Sequence, residues 1–290
     1  MKILYLNTGM HHKNQHALNH YKNIEFVTIH SPEQIRNYDL SLFDCVYSPC
    51  EPIDVSLYPN TKFLFGPHFS VFPDDKLLKI KGEKTIYILP SLWPITWWVT
   101  NFPICYNLPL KVLPFGVDTE RFNEIKPMIQ RNKVFLYTKH RNSDDLYKIQ
   151  HFLQYKNIEY KVFDYHQRYN ENEYIEYLHD SKYAVILDAH ESQGFGIQEA
   201  LACNVPLFVW SVKSMNQELG TNYQDFPATS IPYWDERCGE YFHEFEEMET
   251  KFDLFLSNLE LDNYRPREYI LENLSMEVCE KKMMDLINNI

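Results

Sequence analysis

Short apolar runs alternate with polar or amphipathic stretches along most of the chain. Residues 2–6, 24–29, 45–47, 62–65, 85–89 and 111–113 are brief blocks of Ile, Leu, Val, Phe and Tyr bounded by polar or turn residues, and they predict buried strands. After the turn Pro114, Phe115, Gly116, Val117, Asp118 the pattern restarts, with strands predicted over 134–137, 160–163, 184–187 and 207–210. Helical spacing falls between them. Asp144 and Asp145 can cap a helix carrying Leu146, Ile149 and Leu153, and 171–181 sets Tyr174, Tyr177 and Leu178 on one face. Repeated βα alternation predicts parallel sheets, and its restart predicts two Rossmann-like α/β domains over 1–117 and 118–269. Towards the end, Phe245, Met248, Phe252, Phe255, Leu256 and Leu259 share a helical face, with Glu244, Glu246, Glu247 and Glu249 mostly on the solvated side. A final helix within about 270–290, with Cys279, Met283, Leu286 and Ile290 in one stripe, is expected to pack back on the first domain.

Composition narrows the class. At 290 residues the chain exceeds the roughly 100–200 of one average domain, and 44% hydrophobic with 16% aromatic residues marks a globular protein. A formal charge of -12, from 28 Lys and Arg against 40 Asp and Glu, opposes sequence-independent docking on nucleic acid or anionic lipid. No nucleic-acid partner is expected. No apolar run approaches the roughly 18 residues of a membrane span, and the opening apolar stretch is too short for a secretory signal, so the expectation is a soluble, cytoplasmic protein without a transmembrane segment. The 6 cysteines are scattered without a paired motif, which fits free thiols in a reducing compartment.

Candidate chemistry concentrates between His190 and Glu199. A strand, a loop holding Gly194 and Gly196, and a helix predicted over 199–203 follow one another there, at the kind of place where open α/β sheets bind ligands. The glycines let backbone N–H groups approach an oxyanion, and the helix N-terminus favours phosphate. Glu191 and Glu199 would repel a phosphate aimed at them but could each accept two hydrogen bonds from a vicinal diol, as in a sugar or ribose. The strand 134–137 runs into Lys139 and Arg141, which read either as cations for a diphosphate or as a solvated basic turn. In the first domain, Phe65, Gly66 and Pro67 lead to His68 at a strand mouth, facing a cleft if the two domains oppose each other; a satisfied structural histidine is the plainer alternative. Gly9 follows the first strand and would let that loop approach a ligand. His12, His16 and His20, four residues apart, read either as the polar face of the first helix or as a zinc face. Trp93, Trp97, Trp98 and Phe102 read either as packing between the domains or as an acceptor platform. No Asp-x-Asp, HExxH or GxxxxGK[ST] motif occurs.

Glu191, seven residues, Glu199, then Ala200, Ala202, Cys203 and Pro206 resembles the hallmark of the retaining GT-B glycosyltransferases of family 4. The segment from Pro114 to Phe122 is similar to that family's interdomain Gly-Val-Asp segment. The family's usual Gly-Arg at the strand mouth is replaced here by Lys139, His140 and Arg141. The resemblance implies an α/β fold of two Rossmann-like domains facing a cleft, and transfer of a hexose-type sugar from a nucleoside diphosphate sugar, UDP- or GDP-linked, to an acceptor hydroxyl with retention. It implies catalytic roles for Glu191 and His68, at the sugar. Donor-binding roles fall on Glu199 at the ribose, on the loop amides of Gly194, Phe195, Gly196 and Ile197, on Lys139 and Arg141, and on Gly9. A glycan, protein or small molecule would be the acceptor, with no cofactor and no metal expected. The alternatives are a sugar-nucleotide epimerase of the same fold and a non-catalytic protein that binds nucleotide sugars.

Overall fold

The apolar runs become the strands of two separate parallel sheets in a computed structural model describing residues 1–69, 72–167 and 170–290. The chain divides into two units, the first formed by Met1–Gly116 with Met276–Ile290 and the second by Val117–Ser275.

In the first unit, β1 (Lys2–Leu6), β2 (Glu25–Ile29), β3 (Cys45–Ser48), β4 (Phe63–Phe65), β5 (Thr85–Leu89) and β6 (Leu110–Val112) lie in the order β2-β1-β3-β4-β5-β6. Every pairing is parallel, as βα alternation requires. β3, β4 and β5 are buried along their whole length, which explains why they read as continuous apolar blocks rather than as alternating strands. Helix α1 (His12–His20) buries Asn14, Ala17 and Leu18, and α2 (Leu92–Asn101) buries Trp97 and Trp98. Trp98 packs on Tyr87 of β5 with ring centroids 5.1 Å apart, so this tryptophan belongs to the core of the first unit itself.

The second unit holds β7 (Lys133–Lys139), β8 (Lys161–Asp164), β9 (Ser181–Asp188), β10 (Leu207–Trp210) and β11 (Gly239–Phe242) in the order β11-β10-β9-β7-β8, again all parallel. Read from β8, this is the same doubly wound order as the first unit, less one edge strand. Around the sheet lie α3 (Ser143–Tyr155), α4 (Glu171–Asp180), α5 (Phe195–Ala202), α6 (Met248–Glu260) and α7 (Pro266–Asn273). Asn142 caps α3 by accepting the Asp145 amide, two residues before Asp144, so that Asp144 and Asp145 lie inside the first turn rather than capping it. α6 buries Met248, Phe252, Phe255 and Leu259 against β9 and β10, in one cluster with Tyr183, Val185 and Phe208.

The last helix, α8 (Met276–Asn288), belongs to the first unit. Its buried stripe is Cys279, Met283 and Ile287 rather than one through Leu286 and Ile290. Buried Glu280 joins that stripe, accepting hydrogen bonds from the Asn23 backbone and side chain. None of the six cysteines is in a disulfide. Among the described residues no helix is long and apolar enough to cross a membrane.

Candidate functional site

In a doubly wound sheet the crevice for a ligand opens where the strand order reverses, outside the carboxyl ends of the two strands at that point. In the second unit these are β7 and β9, and their register sets Lys139 beside Asp188. Glu191, three residues past β9, turns back to form an ion pair with Lys139, with side-chain exposures of 19% for the lysine and 14% for the glutamate. The Lys139 ammonium also lies 4.8 Å from the centre of the Tyr165 ring, within cation–π range. Burial works against its charge, but Glu191 first and Asp188 next outweigh burial and hold the ammonium above its ordinary pKa.

Asp188 is 1% exposed, and its Oδ1 accepts the Ala189 amide at 2.7 Å. Burial above all, and then the charge of Glu191, push its carboxyl well above the usual range, with Lys139 partly opposing. Its Oδ2 is buried and meets no donor among the described residues. Beside this group, His190 Nε2 and Glu218 Oε2 stand 3.2 Å apart. Burial lowers the His190 pKa to about 4 and raises that of Glu218, so at neutral pH the contact is a hydrogen bond from a neutral imidazole.

The loop from Glu191 to Gly194 is fixed from several sides. The Glu191 amide donates to Thr229 O at 3.0 Å, and the Gln198 side-chain amide donates to Gln193 O at 2.7 Å. Gly194 then begins α5 from the left-handed region, at φ +82°, where a side chain would be strained. α5 has no side-chain cap and no acidic residue in its first turn, so the positive end of its dipole lies at Phe195, Gly196 and Ile197 without a carboxylate of the helix itself to offset it. Because α5 starts at Phe195 rather than at Glu199, Glu199 lies in its second turn and is 3% exposed.

Arg141 stands otherwise than a diphosphate ligand should. Its side chain is 1% exposed, with Nη1 donating to Asp188 O at 3.2 Å and Trp210 O at 3.0 Å, while Nε and Nη2 bind Asp145 Oδ2 at 3.1 and 2.7 Å. The guanidinium staples β9, β10 and α3 together beneath the mouth instead of presenting a fork to ligand, which corrects the reading that paired it with Lys139.

Two of the candidate residues belong to the first unit. Gly66, at φ +89°, takes the chain out of β4 at a place where a Cβ would collide with the Ile88 carbonyl oxygen, and His68 follows with its amide bonded to Pro49 O at 2.8 Å. The His68 ring meets buried Asn14 of α1, Nε2 to Nδ2, at 2.9 Å. The amide N–H donates there, so the ring proton sits on Nδ1. Burial first, and His11 second, lower the His68 pKa to about 4, so the ring is neutral at pH 7. Gly9 is exposed in the turn after β1. On α1, the His16 and His20 rings lie 4.1 Å apart, tilted by 42°, and His20 Nδ1 is tied to His16 O, whereas the His12 ring lies against His11.

Among solved structures, the chain resembles sucrose-phosphate synthase from Thermosynechococcus elongatus at a TM-score of 0.56 and 10% identity, covering 100% of this chain and 98% of that one. It also resembles WaaG, a glycosyltransferase involved in lipopolysaccharide biosynthesis, at a TM-score of 0.51 and 10% identity over 99% of both chains. The architecture matches the GT-B glycosyltransferase fold. No protein-family model matches the sequence, and no curated protein does either. Within this GT-B framework the sequence reading passed over Asp188, Tyr165 and the His190–Glu218 pair. Asp188 had a usable signal, being the polar residue that closes an otherwise apolar strand just before His190. Tyr165 had none, because its relation to Lys139 depends on β8 lying next to β7.

Proposed function

We propose that the chain transfers a hexose-type sugar from a nucleoside diphosphate sugar to an acceptor hydroxyl, with retention of configuration. The observation that carries the reading is the switch point of the second unit, where Lys139 and the uncapped start of α5 stand beside Glu191. The diphosphate of the donor lies on the leading amides of Phe195, Gly196 and Ile197, with Lys139 as the point charge that stabilises the departing anion. Glu191 orients the sugar, and Glu199 accepts the ribose diol. Lys139 can pass from Glu191 to phosphate as the donor enters, freeing Glu191 for sugar hydroxyls. His68, held neutral with its proton on Nδ1, donates to a sugar or acceptor hydroxyl without adding charge. The leaving phosphate takes the acceptor's proton on the same face, so no side-chain base is required. Fixed protein charge takes the place of a metal in this scheme.

A thermal-shift series with UDP, GDP, ADP and their sugars, followed by a transfer assay with and without EDTA, tests this reading. One nucleotide should raise the melting temperature, and transfer should persist under chelation. Glu199→Ala should weaken the free nucleotide by about 10–150-fold, the loss of a charge-assisted hydrogen bond, whereas Glu191→Ala should lower turnover and leave nucleotide affinity nearly intact. Stabilisation by none of the nucleotides, or equal nucleotide losses in both variants, would contradict the assignment. Release of an epimerised nucleotide sugar, or tight donor binding without any hydrolysis or transfer, would mark the protein as an epimerase or as a binding protein.

A further inference from the structure

Next to the carboxylate group of the second unit, at the carboxyl ends of β10 and β11, opens a cleft of about 440 Å³. Val212, Ala228 and Ile231 supply apolar wall, and Trp234, Tyr241 and His243 supply rings. Trp234 and Tyr241 meet edge to face, 6.3 Å apart and at 90°, and Tyr241 meets His243 at 5.5 Å and 70°. Each ring is turned against the next, so the wall curves in steps and offers no parallel slot for a flat base. A pyranose suits such a wall, because its C–H faces rest on aromatic surface while its hydroxyls point outward in several directions.

The polar tips fit the same occupant. Trp234 Nε1 and Tyr241 Oη make no hydrogen bond among the described residues, and His243 uses only Nδ1, against Ser211 O at 3.1 Å. The cation on the wall, Lys213, is already neutralised by Glu244, which disfavours an anionic ligand. The size is at the lower end of the ~300–1,000 Å³ of small-molecule sites. The cleft is also wired to the switch point. Thr229, one of its wall residues, accepts the Glu191 amide through its carbonyl, and Ser230, which receives the Val212 amide, donates to Asp188 O at 3.0 Å.

We infer that this cleft is a subsite for one or two neutral sugar rings of a glycan acceptor, stacked on Trp234 and Tyr241. The acceptor role rests on the transferase reading above, whereas binding of the sugar does not. Saturation-transfer NMR with cellobiose, lactose and chitobiose tests it on the full chain. At least one disaccharide should bind, and Trp234→Ala should weaken it tenfold or more while UDP and GDP affinity stays unchanged. Should Trp234→Ala lower the melting temperature, Trp234→Phe and Tyr241→Leu carry the same test. If none of the three disaccharides binds, or if binding ignores the ring substitutions in a stably folded protein, the inference is overturned. Nucleotide binding that fails in the wild type while disaccharide binding depends on Trp234 would overturn the transferase reading and leave a glycan-binding cleft. In the converse case, with nucleotide bound and no disaccharide, the cleft alone is refuted.

Discussion

Removing the charge of Lys139 probes the switch point of the second unit most directly. Lys139→Met keeps the length of the side chain and its contact with the Tyr165 ring, yet leaves Glu191 facing Asp188 without a cation. Breaking a buried ion pair by deleting one partner costs about 3–5 kcal/mol. The two side chains here keep 19% and 14% of their exposure, so water relieves part of the penalty and a loss of about 2–3 kcal/mol is expected. In a unit of this size that corresponds to a fall of roughly 4–12 °C in Tm.

The pH dependence of that loss has a definite sign. Asp188 has a folded pKa above its unfolded one, so its contribution to stability is fully present below the unfolded value and is lost as pH rises through the folded value. Lys139 opposes this upward shift, and without it the shift grows. The deficit of the variant should therefore widen as pH rises through the folded pKa of Asp188 in the wild type. Glu191→Gln in the Lys139→Met background removes the facing charge and should restore about 1–3 kcal/mol in a double-mutant cycle followed by urea denaturation. A single variant that melts within a degree of wild type at pH 7.5, together with additive cycle energies, would refute the reasoning. The same variant should bind UDP or GDP about 10–150-fold more weakly in calorimetry if Lys139 meets the diphosphate.

Gly66→Ala should destabilise the protein by about 3 kcal/mol or more, since φ +89° and the Ile88 carbonyl both reject a side chain; a wild-type denaturation midpoint would count against that geometry. His68 and His190, each with a folded pKa of about 4, bind fewer protons folded than unfolded between pH 4 and 6.5, so stability should fall as pH drops through that window, by up to about 3 kcal/mol for each. Replacing both with Gln should flatten the slope of melting temperature against pH, and an unchanged slope would remove them as its source. His68→Ala should lower kcat by roughly 10²–10³-fold with little change in donor affinity, whereas early unfolding with normal activity per folded molecule would make it purely structural.

The apolar runs placed ten strands, nine of them to within a residue or two and β9 with its start three residues late, because buried parallel strands have no polar alternation to blur them. β11 escaped because Gly239-Glu240-Tyr241-Phe242 is half polar, as an edge strand can be. One of its residues, Tyr241, forms wall in the aromatic cleft, which was equally invisible from spacing. Arg141 shows a different limit. Its place after a strand mouth was legible, but the direction of its guanidinium depends on the carbonyls of Asp188 and Trp210, 47 and 69 residues away. Glu191 and Gly194 were legible because a strand, a left-handed turn and a helix start are local events. Asp188 acquires its unusual protonation only from burial and from the neighbour that the loop folds over it.

The two sheets share one strand order, yet their mouths differ in electrostatic character, and that difference bears on how work would be divided between them. In the second unit the switch point brings Lys139, Asp188 and Glu191 together, and the charge of the lysine is stabilised by carboxylates that a ligand's phosphate could replace. Such a site can take up a dianion without a metal because one cation is already present and the start of α5 adds N–H dipoles. In the first unit the loop after β4 delivers His68, kept neutral by burial and oriented by Asn14. A neutral imidazole held by one nitrogen can direct the other at a hydroxyl, but it cannot balance a diphosphate. Under the proposed transferase reading, the second unit would meet the charged half of a sugar nucleotide, and His68 of the first unit would add only a neutral hydrogen-bonding group. Under the same reading, an exchange of Lys139 between Glu191 and phosphate would couple donor entry to sugar orientation.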